Sequence, residues 1–508
     1  MNEKKYNGLT PKQRLKLLKR LKKQKVRADP IPFGNANLPV QSSLPLSPTQ
    51  TSLLENDHTP FDPNKQHIST ILRLRGPLNT DVLRQSFLRL VQRHQALRTV
   101  VHEADNNFTQ EISPISILPL TTINLTDLSE EERETRALQE AIQNVETPFN
   151  LETGPLIRTS LYKIAEQHHL LLINFHYVVT DEWSAKMLIK ELSVLYEALS
   201  LQKTPLLPKL SIQYSDFILW QKRRLKSNKI EPNLTFWKEK LKPPFQTNIF
   251  QTKSVTAPSY DESSLYISNE TLHTLKTFCK KNKISLSMAL LSNFFSTLHT
   301  ITQCSDIVIR TQATLRTKTE FENLMGHLNN HILIRSTPSN INSLSLSELR
   351  STILKSFDHQ HIPEPVVLNT LKNEHSFLPQ QLHTAEYIHE DSQLPKVSIG
   401  DLEISPIKTL NSNCKSTLNL KTTEKKNGVV CQFIFDSNVL NEDMIETLKE
   451  AFMTQLQALT GKSLDMIDFS KKKPSKADSQ PLTEEAPSSE STNFSKAFQD
   501  LWNSKRNG

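Results

Sequence analysis

Four ionisable side chains fall close together in the segment LLLINFHYVVTDEWS, residues 170–184. They are the imidazole of His176, the phenol of Tyr177 and the carboxylates of Asp181 and Glu182. Groups of these types accept or donate protons and form strong hydrogen bonds. Consecutive residues of a strand point to opposite faces of the sheet, so if Tyr177 faces a reaction site, His176 faces the packing beneath it.

The elements around this segment predict a mixed α/β fold. From about residue 46 to 470, short apolar strands alternate with amphipathic helices. The pattern predicts a strand over 67–76, a helix over 78–94 and a two-stranded hairpin over 160–175. A helix over 184–199 follows the four ionisable groups, and its predicted buried face carries Met187, Leu188, Leu192, Leu195 and Tyr196.

The composition excludes several classes of protein. The chain has 508 residues, of which 36% are hydrophobic and 22% charged, as in ordinary globular proteins. Its nine glycines form neither a dinucleotide-binding nor a P-loop motif. No apolar run approaches the roughly 20 residues of a membrane helix, and no signal peptide is recognisable. The cysteines have no metal-binding spacing, so we expect free thiols, no metal and a cytoplasmic location; they are Cys279, Cys304, Cys414 and Cys431.

Residues 1–35 form a basic extension that carries much of the net charge of +8. The sequence predicts a helix there, because Thr10 and Pro11 match an N-cap and a first helical position and three leucines share one face. Three interpretations remain open: a solvated helix or linker, docking onto an acidic partner, and contact with nucleic acid or a membrane. The leucines are Leu15, Leu18 and Leu21, and Lys16, Lys19, Arg20, Lys22 and Lys23 surround them.

Residues 471–508 form a tail rich in Ser, Pro and Glu, a composition that predicts disorder. Near its end, apolar side chains recur at helical spacing and predict a short amphipathic helix over 493–504. This helix either folds back onto its own chain or docks into a groove of another protein. The apolar residues are Phe494, Phe498, Leu501 and Trp502.

The central segment resembles the HHxxxDG active-site motif of nonribosomal peptide synthetase condensation domains, in which WS often follows. Tyr177 replaces the second His of that motif and Glu182 replaces its Gly, whereas Trp183 and Ser184 match the WS. Further segments resemble other motifs of the family in the family's order, over about residues 38–465. They are LPLSPTQTSLL at 44–54, RHQALRT at 93–99, FNLETGPLIR at 149–158, YSDFILWQ at 214–221, LMGHLNNHILIR at 324–335, HQHIPEP at 359–365 and VVCQFIFDSNVLNEDMIETLKEAF at 429–452.

The resemblance implies two lobes similar to chloramphenicol acetyltransferase, arranged as a V with a tunnel between them. We assign residues 36–205 to the first lobe and 206–470 to the second. Carrier proteins are then the expected partners, and each would present a thioester on its phosphopantetheine arm from one mouth of the tunnel. The chain needs no cofactor of its own, because the reactive thioester belongs to the carrier.

The resemblance also implies a role for each matched residue. The second His of the motif positions or deprotonates the attacking amine, and Tyr177 is poorly suited to this because phenols ionise near pH 10 and imidazoles near pH 6.5. Glu182 adds bulk and negative charge where the family has Gly. Asp181 is expected to form a structural salt bridge with Arg316. His176, Glu182, Trp183, Ser184 and Asn330 complete the predicted active-site motif and tunnel.

Three hypotheses follow. The first is a stand-alone condensation-like protein of a nonribosomal peptide or hybrid polyketide pathway that has lost its base and acts as a docking platform for carriers or a tailoring enzyme. It resembles the X domains of glycopeptide synthetases, whose motif is similarly altered. The second is an active enzyme that forms an amide or ester, with Tyr177 as a hydrogen-bond donor. The third is an unrelated scaffold, including nucleic-acid binding through the basic extension.

Overall fold

The structure is a computed structural model that describes residues 43–460, apart from short segments within that range. The predicted basic extension, the predicted tail with its helix, and Cys414 lie outside the described residues. The omitted internal segments are 56–65, 106, 115–119, 244, 246–248, 251–257, 338–345, 376–381, 383, 391–396 and 412–415.

Strands and helices alternate along the chain, as the sequence pattern predicts. The strands are β1 (Leu44–Pro45), β2 (His67–Arg75), β3 (Thr99–Ala104), β4 (Asn107–Ile112), β5 (Leu120–Asn124), β6 (Ile157–Ala165), β7 (His168–His176), β8 (Tyr260–Ser268), β9 (Ile307–Thr314), β10 (Asn329–Ser336), β11 (Ala385–Glu390), β12 (Val397–Ile399), β13 (Leu402–Asn411), β14 (Leu418–Lys425) and β15 (Gly428–Asp436). The helices are α1 (Pro48–Leu54), α2 (Thr80–Arg93), α3 (Glu130–Glu146), α4 (Glu182–Ser200), α5 (Tyr214–Leu225), α6 (Glu231–Lys240), α7 (Asn269–Asn282), α8 (Leu286–Thr302), α9 (Leu346–Asp358), α10 (Glu364–His375) and α11 (Glu442–Thr460).

The first lobe is built on a six-stranded sheet with the order β12-β13-β2-β7-β6-β5. The β6–β7 hairpin is antiparallel, and β7 pairs along its whole length with β2. Every residue of β7 after His168 is buried, because helices and loops cover both faces of the sheet. This places the end of β7, and the ionisable groups that follow it, at one edge of a rigid core.

The second lobe is built on another six-stranded sheet, with the order β10-β9-β11-β14-β15-β8. Its core is continuous around α8, whose side chains Phe294, Phe295 and Leu298 are completely buried. Strands β9 and β10 pair antiparallel over eight residues each and present one face toward the first lobe. A separate three-stranded sheet, β1-β4-β3, lies at the start of the described chain.

The two lobes exchange chain segments. Strand β13 comes from the second half of the sequence, yet it pairs antiparallel with β2 and extends the first sheet. The segment that follows β9 also packs into the first lobe's core through Leu315, Phe321 and Leu328. The predicted division at residue 205 falls between α4 and α5, but residues 397–411 belong structurally to the first sheet.

Within the described residues, no single helix has the length and hydropathy needed to span a bilayer. Helices α7 and α8 meet that criterion only when they are taken as one pair bent by 99°.

Candidate active site

The carboxylate of Asp181 accepts hydrogen bonds from both halves of the chain and so links the two lobes. Asp181 is completely buried and N-caps α4 by accepting a hydrogen bond from the Ser184 amide at 2.8 Å. The Arg316 guanidinium donates two further hydrogen bonds at 2.6 and 3.0 Å, and the Leu328 amide donates a fourth at 2.9 Å. Burial alone would raise the pKa of Asp181, but Arg316 and these hydrogen bonds hold it below its ordinary value. All four hydrogen bonds tie the carboxylate to α4 and to the segment after β9, and none of them involves Tyr177.

Ser184 and Trp183 support the same connection. The Ser184 hydroxyl donates to the carbonyl of Gly326 at 3.0 Å and accepts from Arg316 at 2.8 Å. The Trp183 indole donates to the carbonyl of Glu322 at 3.0 Å, and 39% of this residue is exposed. Both residues therefore attach α4 to the segment after β9, and Trp183 is partly exposed to solvent.

His176 ends β7 and packs against different neighbours from those of Tyr177. It is completely buried, and its Nδ1 accepts a hydrogen bond from the Val178 amide at 3.1 Å. The ring packs edge-on against Phe149 with 5.8 Å between ring centroids. Because Nδ1 is an acceptor, the proton of the neutral ring is on Nε2. His176 is the last residue of β7, Tyr177 begins a 3₁₀ turn (Tyr177–Val179), and His176 does not reach the centre of the site.

Tyr177 occupies the centre with its hydroxyl already hydrogen-bonded. Its side chain is only 2% exposed, and its hydroxyl donates to Oε1 of Glu182 at 2.9 Å. Oε2 of the same carboxylate accepts hydrogen bonds from Gln312 at 3.3 Å and from Asn329. Tyr177 and Glu182 belong to the first lobe, whereas Gln312 and Asn329 belong to the second. The four side chains thus form a polar cluster across the lobe interface, which we call the Tyr177 cluster.

Glu182 has a raised pKa in this cluster. Burial disfavours the charged carboxylate, and the nearby charge of Asp181 adds to this effect. The hydrogen bond from Tyr177 opposes the shift but does not cancel it. The carboxylate is therefore a stronger proton acceptor than an exposed glutamate.

An imidazole that the sequence analysis did not single out lies beside Tyr177. The His327 ring is 5.1 Å from the Tyr177 ring, measured between centroids. Its Nδ1 donates to the carbonyl of Thr180 at 3.1 Å, so Nε2 carries the lone pair of the neutral ring. Burial lowers the pKa of His327 to about 4, so the ring is neutral near pH 7 and weakly basic.

Asn330, which the resemblance placed among the tunnel residues, points to the other face of β10. It opposes Ala313 across the β9–β10 pair, whereas Asn329 opposes Thr314. The Asn330 side chain is 1% exposed and bonds only to backbone, donating to the carbonyls of Gln360 and Ile362 and accepting from the Glu364 amide. Asn330 therefore holds the loop before α10, and its neighbour Asn329 provides the contact to the site.

A buried ionic cluster borders Tyr177 on the second lobe. Arg310 of β9 donates to Glu364 at 2.8 and 2.7 Å and to Glu386 at 3.1 Å. His331 contacts the same groups, with its Nε2 3.3 Å from Glu386. Burial alone would lower the pKa of Arg310, but the two carboxylates raise it, and Arg310 is close enough for its charge to interact with Tyr177. The wall that faces Tyr177 is thus polar, and its Arg310 charge is paired with two buried carboxylates.

The described residues contain no group of His, Cys, Asp and Glu side chains arranged to hold a metal ion. Cys279, Cys304 and Cys431 are free thiols, and burial raises the pKa of Cys279 to about 11.

Comparison with known proteins decides the family. Residues 40–472 match the family model described as Condensation domain. The chain belongs to the condensation domain family. The predicted fold class is thereby confirmed: the chain is a mixed α/β protein whose two lobes resemble chloramphenicol acetyltransferase. Condensation domains work with the phosphopantetheine arms of carrier proteins.

The curated relatives of this condensation domain are much longer proteins. A linear gramicidin synthase component from Brevibacillus parabrevis is 29% identical over 448 residues, which are 85% of this chain and 6% of the relative. Surfactin synthase subunit 1 of Bacillus subtilis (strain 168) is 24% identical over 427 residues, which are 83% of this chain and 12% of the relative. The chain therefore spans only a small part of the relatives it matches.

Solved structures share the fold of this condensation domain. The X-domain from teicoplanin biosynthesis has a TM-score of 0.70 at 18% identity, and the alignment covers 84% of this chain and 98% of that one. SgcC5 from Streptomyces globisporus has a TM-score of 0.67 at 19% identity, and the alignment covers 82% of this chain and 98% of SgcC5. A complex of the teicoplanin X-domain with OxyB has also been solved, and its TM-score is 0.68 at 18% identity, with 82% and 93% covered.

Proposed function

We propose that this condensation domain binds carrier-tethered thioesters but is impaired in joining them, and that it serves as a docking platform for a carrier protein or a tailoring enzyme. One observation supports this most directly: the Tyr177 hydroxyl donates its hydrogen bond to Glu182. The side chain at the reacting centre is therefore a hydrogen-bond donor whose proton is already engaged by Glu182. The family has a base at this position.

The loss of a proton acceptor at this position should lower the rate of condensation strongly. A positioned general base contributes about 10²–10⁴-fold to a rate, and a phenol of ordinary pKa is a poor base near pH 7. An amine that displaced Tyr177 from Glu182 would also break a buried hydrogen bond, which is worth roughly 0.5–1.5 kcal/mol. Gln312 and Asn329 hold Glu182 in place, so the cluster resists rearrangement.

The proposed partners follow from the family and from one structural relative. A carrier protein is expected because condensation domains work with carrier-bound arms. A tailoring enzyme is a second class of partner, because the teicoplanin X-domain, which shares this fold, has been solved in a complex with OxyB. The altered motif, with Tyr177 and Glu182 in place of His and Gly, supports the comparison with X domains.

Small thioesters test binding and turnover separately. We would use octanoyl-CoA and a leucyl N-acetylcysteamine thioester, because a rhizomide starter condensation domain has been solved with C8-CoA and Leu-SNAC. We expect octanoyl-CoA to bind, by calorimetry, and no octanoyl-leucyl product to form. Product formation by the unmodified chain at rates typical of enzymes, roughly 1 s⁻¹ or faster, would contradict the proposal.

A second function is favoured by the raised pKa of Glu182. In an active enzyme, Tyr177 and Glu182 would act as a relay. The substrate nitrogen would attack the thioester carbonyl and give a proton to the Tyr177 oxygen while the phenol proton moved to Glu182. The C–N bond would form, the C–S bond would break, and the leaving thiolate would take the proton back. This mechanism requires turnover in the unmodified chain and its loss in both Tyr177→Phe and Glu182→Gln.

A further inference from the structure

A surface groove on the first lobe lies apart from the Tyr177 cluster. It has a volume of about 480 Å³ and lies between the β3–β4 hairpin and the turn after α3. Its apolar part includes the half-buried Phe108 and Leu151 and the buried Phe149. The residues that line it are Val101, Glu103, Phe108, Pro148, Phe149, Asn150, Leu151 and Glu152.

The rim of the groove is acidic. Glu103 and Glu152 are exposed, and among the described residues neither carboxylate is within ion-pair distance of a basic side chain. The guanidinium of Arg158 lies 4.0 Å from the Phe149 ring centroid and donates to the Thr147 carbonyl, and Arg158 is not among the residues that line the groove. The groove therefore combines a few apolar side chains with two carboxylates available to a basic ligand.

The chain enters the described structure beside this groove. Its first strand, β1, pairs with β4, with Leu44 opposite Gln110 and Pro45 opposite Thr109. Strand β4 carries Phe108, and the adjacent β3 carries Glu103. The fifteen residues 28–42 can span about 50 Å when extended, so any segment before residue 28 is within reach of the groove.

The segment that precedes this tether complements the groove. Residues 1–27 hold eleven Lys and Arg residues and one Glu, enough to account for the whole net charge of +8. The sequence predicts a helix with Leu15, Leu18 and Leu21 on one face and basic side chains around them. Leucines would contact the apolar side chains of the groove while lysines meet the acidic rim.

We propose that residues 10–27 dock in this groove of their own chain, with the leucine face toward Phe108 and Phe149 and lysines at Glu103 and Glu152. The short tether gives the segment an effective concentration in the millimolar range, so weak contacts suffice. The acidic partner of the basic extension is then the first lobe itself. This inference is independent of whether the domain condenses substrates.

Cross-linking of the full chain tests the placement. A carbodiimide joins carboxylates directly to lysine amines that touch them, and mass spectrometry identifies the linked residues. We expect links from Glu103 or Glu152 to the lysines of residues 10–27, and in a mixture of ¹⁴N- and ¹⁵N-labelled chains these links should lie within one chain. Cross-links that form mainly between chains would assign the groove to a second copy of the protein. A yield of cross-links at Glu103 and Glu152 no higher than the yield at Glu130 would show an unoccupied groove. Either result overturns the proposal.

Charge reversal tests the energetics. Glu103→Lys with Glu152→Lys should speed amide hydrogen exchange in residues 12–25 roughly fivefold, the effect of losing two exposed ion pairs. Adding Lys16→Glu and Lys19→Glu to that variant should restore protection. The matched control is Glu130→Lys with Glu131→Lys, at the opposite end of α3, a helix about 25 Å long. Equal exchange in all variants, with unchanged thermal melting of the body, would refute the docking.

Discussion

Glu182 begins α4, and its carboxylate accepts hydrogen bonds from Tyr177, Gln312 and Asn329. A helix N-terminus favours a negative charge, yet burial and Asp181 raise the pKa of this residue. The folded protein thus keeps a proton on Glu182 at pH values where the unfolded chain has lost it. The contribution of Glu182 to stability therefore falls as the pH rises above its ordinary pKa of 4.5.

Glu182→Gln should remove this pH dependence, because the amide cannot ionise and its oxygen can still accept from Tyr177. We expect the free energy of unfolding of the variant, relative to the unmodified chain, to increase from pH 4.5 toward neutrality. Urea unfolding across that range measures the difference. Glu197→Gln, at an exposed position of the same helix, should show no such trend. A variant whose relative stability decreased with pH would contradict the assigned direction.

Asp181→Asn should be strongly destabilising. The substitution leaves the buried Arg316 guanidinium without its carboxylate, and breaking one side of a buried ion pair costs about 3–5 kcal/mol. Denaturant unfolding measures the loss. Asp81→Asn, which breaks the exposed pair with Arg84, should cost about 1 kcal/mol or less. Equal costs at the two sites would show that Asp181 does not hold the lobes together.

Sequence reasoning finds the residues of the site that belong to one motif and misses those that the fold brings in from elsewhere. His176 and Tyr177 pack against different neighbours, although Tyr177 lies in a 3₁₀ turn and not in β7, and the resemblance names the pair that Asp181 and Arg316 form. Gln312, Asn329 and His327 were missed. Alternation does place Asn329 and Asn330 on opposite faces, but it does not tell which face meets the first lobe.

At the scale of elements, the turn between β9 and β10 depends on close contact with α5. A Cβ atom added at Gly326 would lie 2.2 Å from Cδ2 of Tyr214, so only glycine fits beneath that ring. The Tyr214 hydroxyl donates to the carbonyl of His327 at 2.7 Å and fixes the same turn. This turn also positions Leu328, whose backbone amide donates a hydrogen bond to Asp181.

Gly326→Ala should therefore destabilise the protein by about 1–3 kcal/mol, as overpacking does. The cost should be clearly smaller in a Tyr214→Ala background, because the clashing ring is gone. A double-mutant cycle of unfolding free energies measures this coupling. Additive costs would mean that the contact between Gly326 and Tyr214 is not the source of the strain.

Local patterns predict elements well where the signals are local. The helix expected over 78–94 is α2, and it begins after Asn79, whose side chain accepts hydrogen bonds from the amides of Asp81 and Val82. The hairpin expected over 160–175 is β6–β7. Sheet membership is a different matter, because β13 follows β11 and β12 in sequence but pairs with β2. No local signal records which distant strand is the neighbour.

At the scale of the whole molecule, β13 makes the first lobe depend on the second half of the chain. Leu402 and Ile404 of β13 pack in the same core as Leu72 of β2. Residues that share a sheet and a core tend to open together. The two lobes are therefore joined by a shared sheet as well as by the Asp181–Arg316 pair.

Leu72→Ala should lower amide protection in β13 together with β2, and it should leave β15 of the second lobe much less affected. The expected cost of this buried substitution is about 2–5 kcal/mol. Hydrogen exchange measured by mass spectrometry reads all three strands in one experiment. Phe433→Ala, in the second lobe's core, should give the opposite pattern. If β13 lost its amide protection together with β15, and β2 kept its protection, the pairing of β13 with β2 would be contradicted.

The central claim is that this condensation domain retains its architecture and lacks a proton acceptor at residue 177. The most direct test is the double variant Tyr177→His with Glu182→Gly, assayed with octanoyl-CoA and a leucyl N-acetylcysteamine thioester after thermal melting has shown that it folds. Its matched control, Tyr177→Phe with Glu182→Gly, opens the same space without supplying a base. We predict product formation about 10²-fold faster in the His variant than in either the control or the unmodified chain. An unmodified chain that already forms product as fast as the His variant, and loses that activity in Tyr177→Phe, would contradict the account.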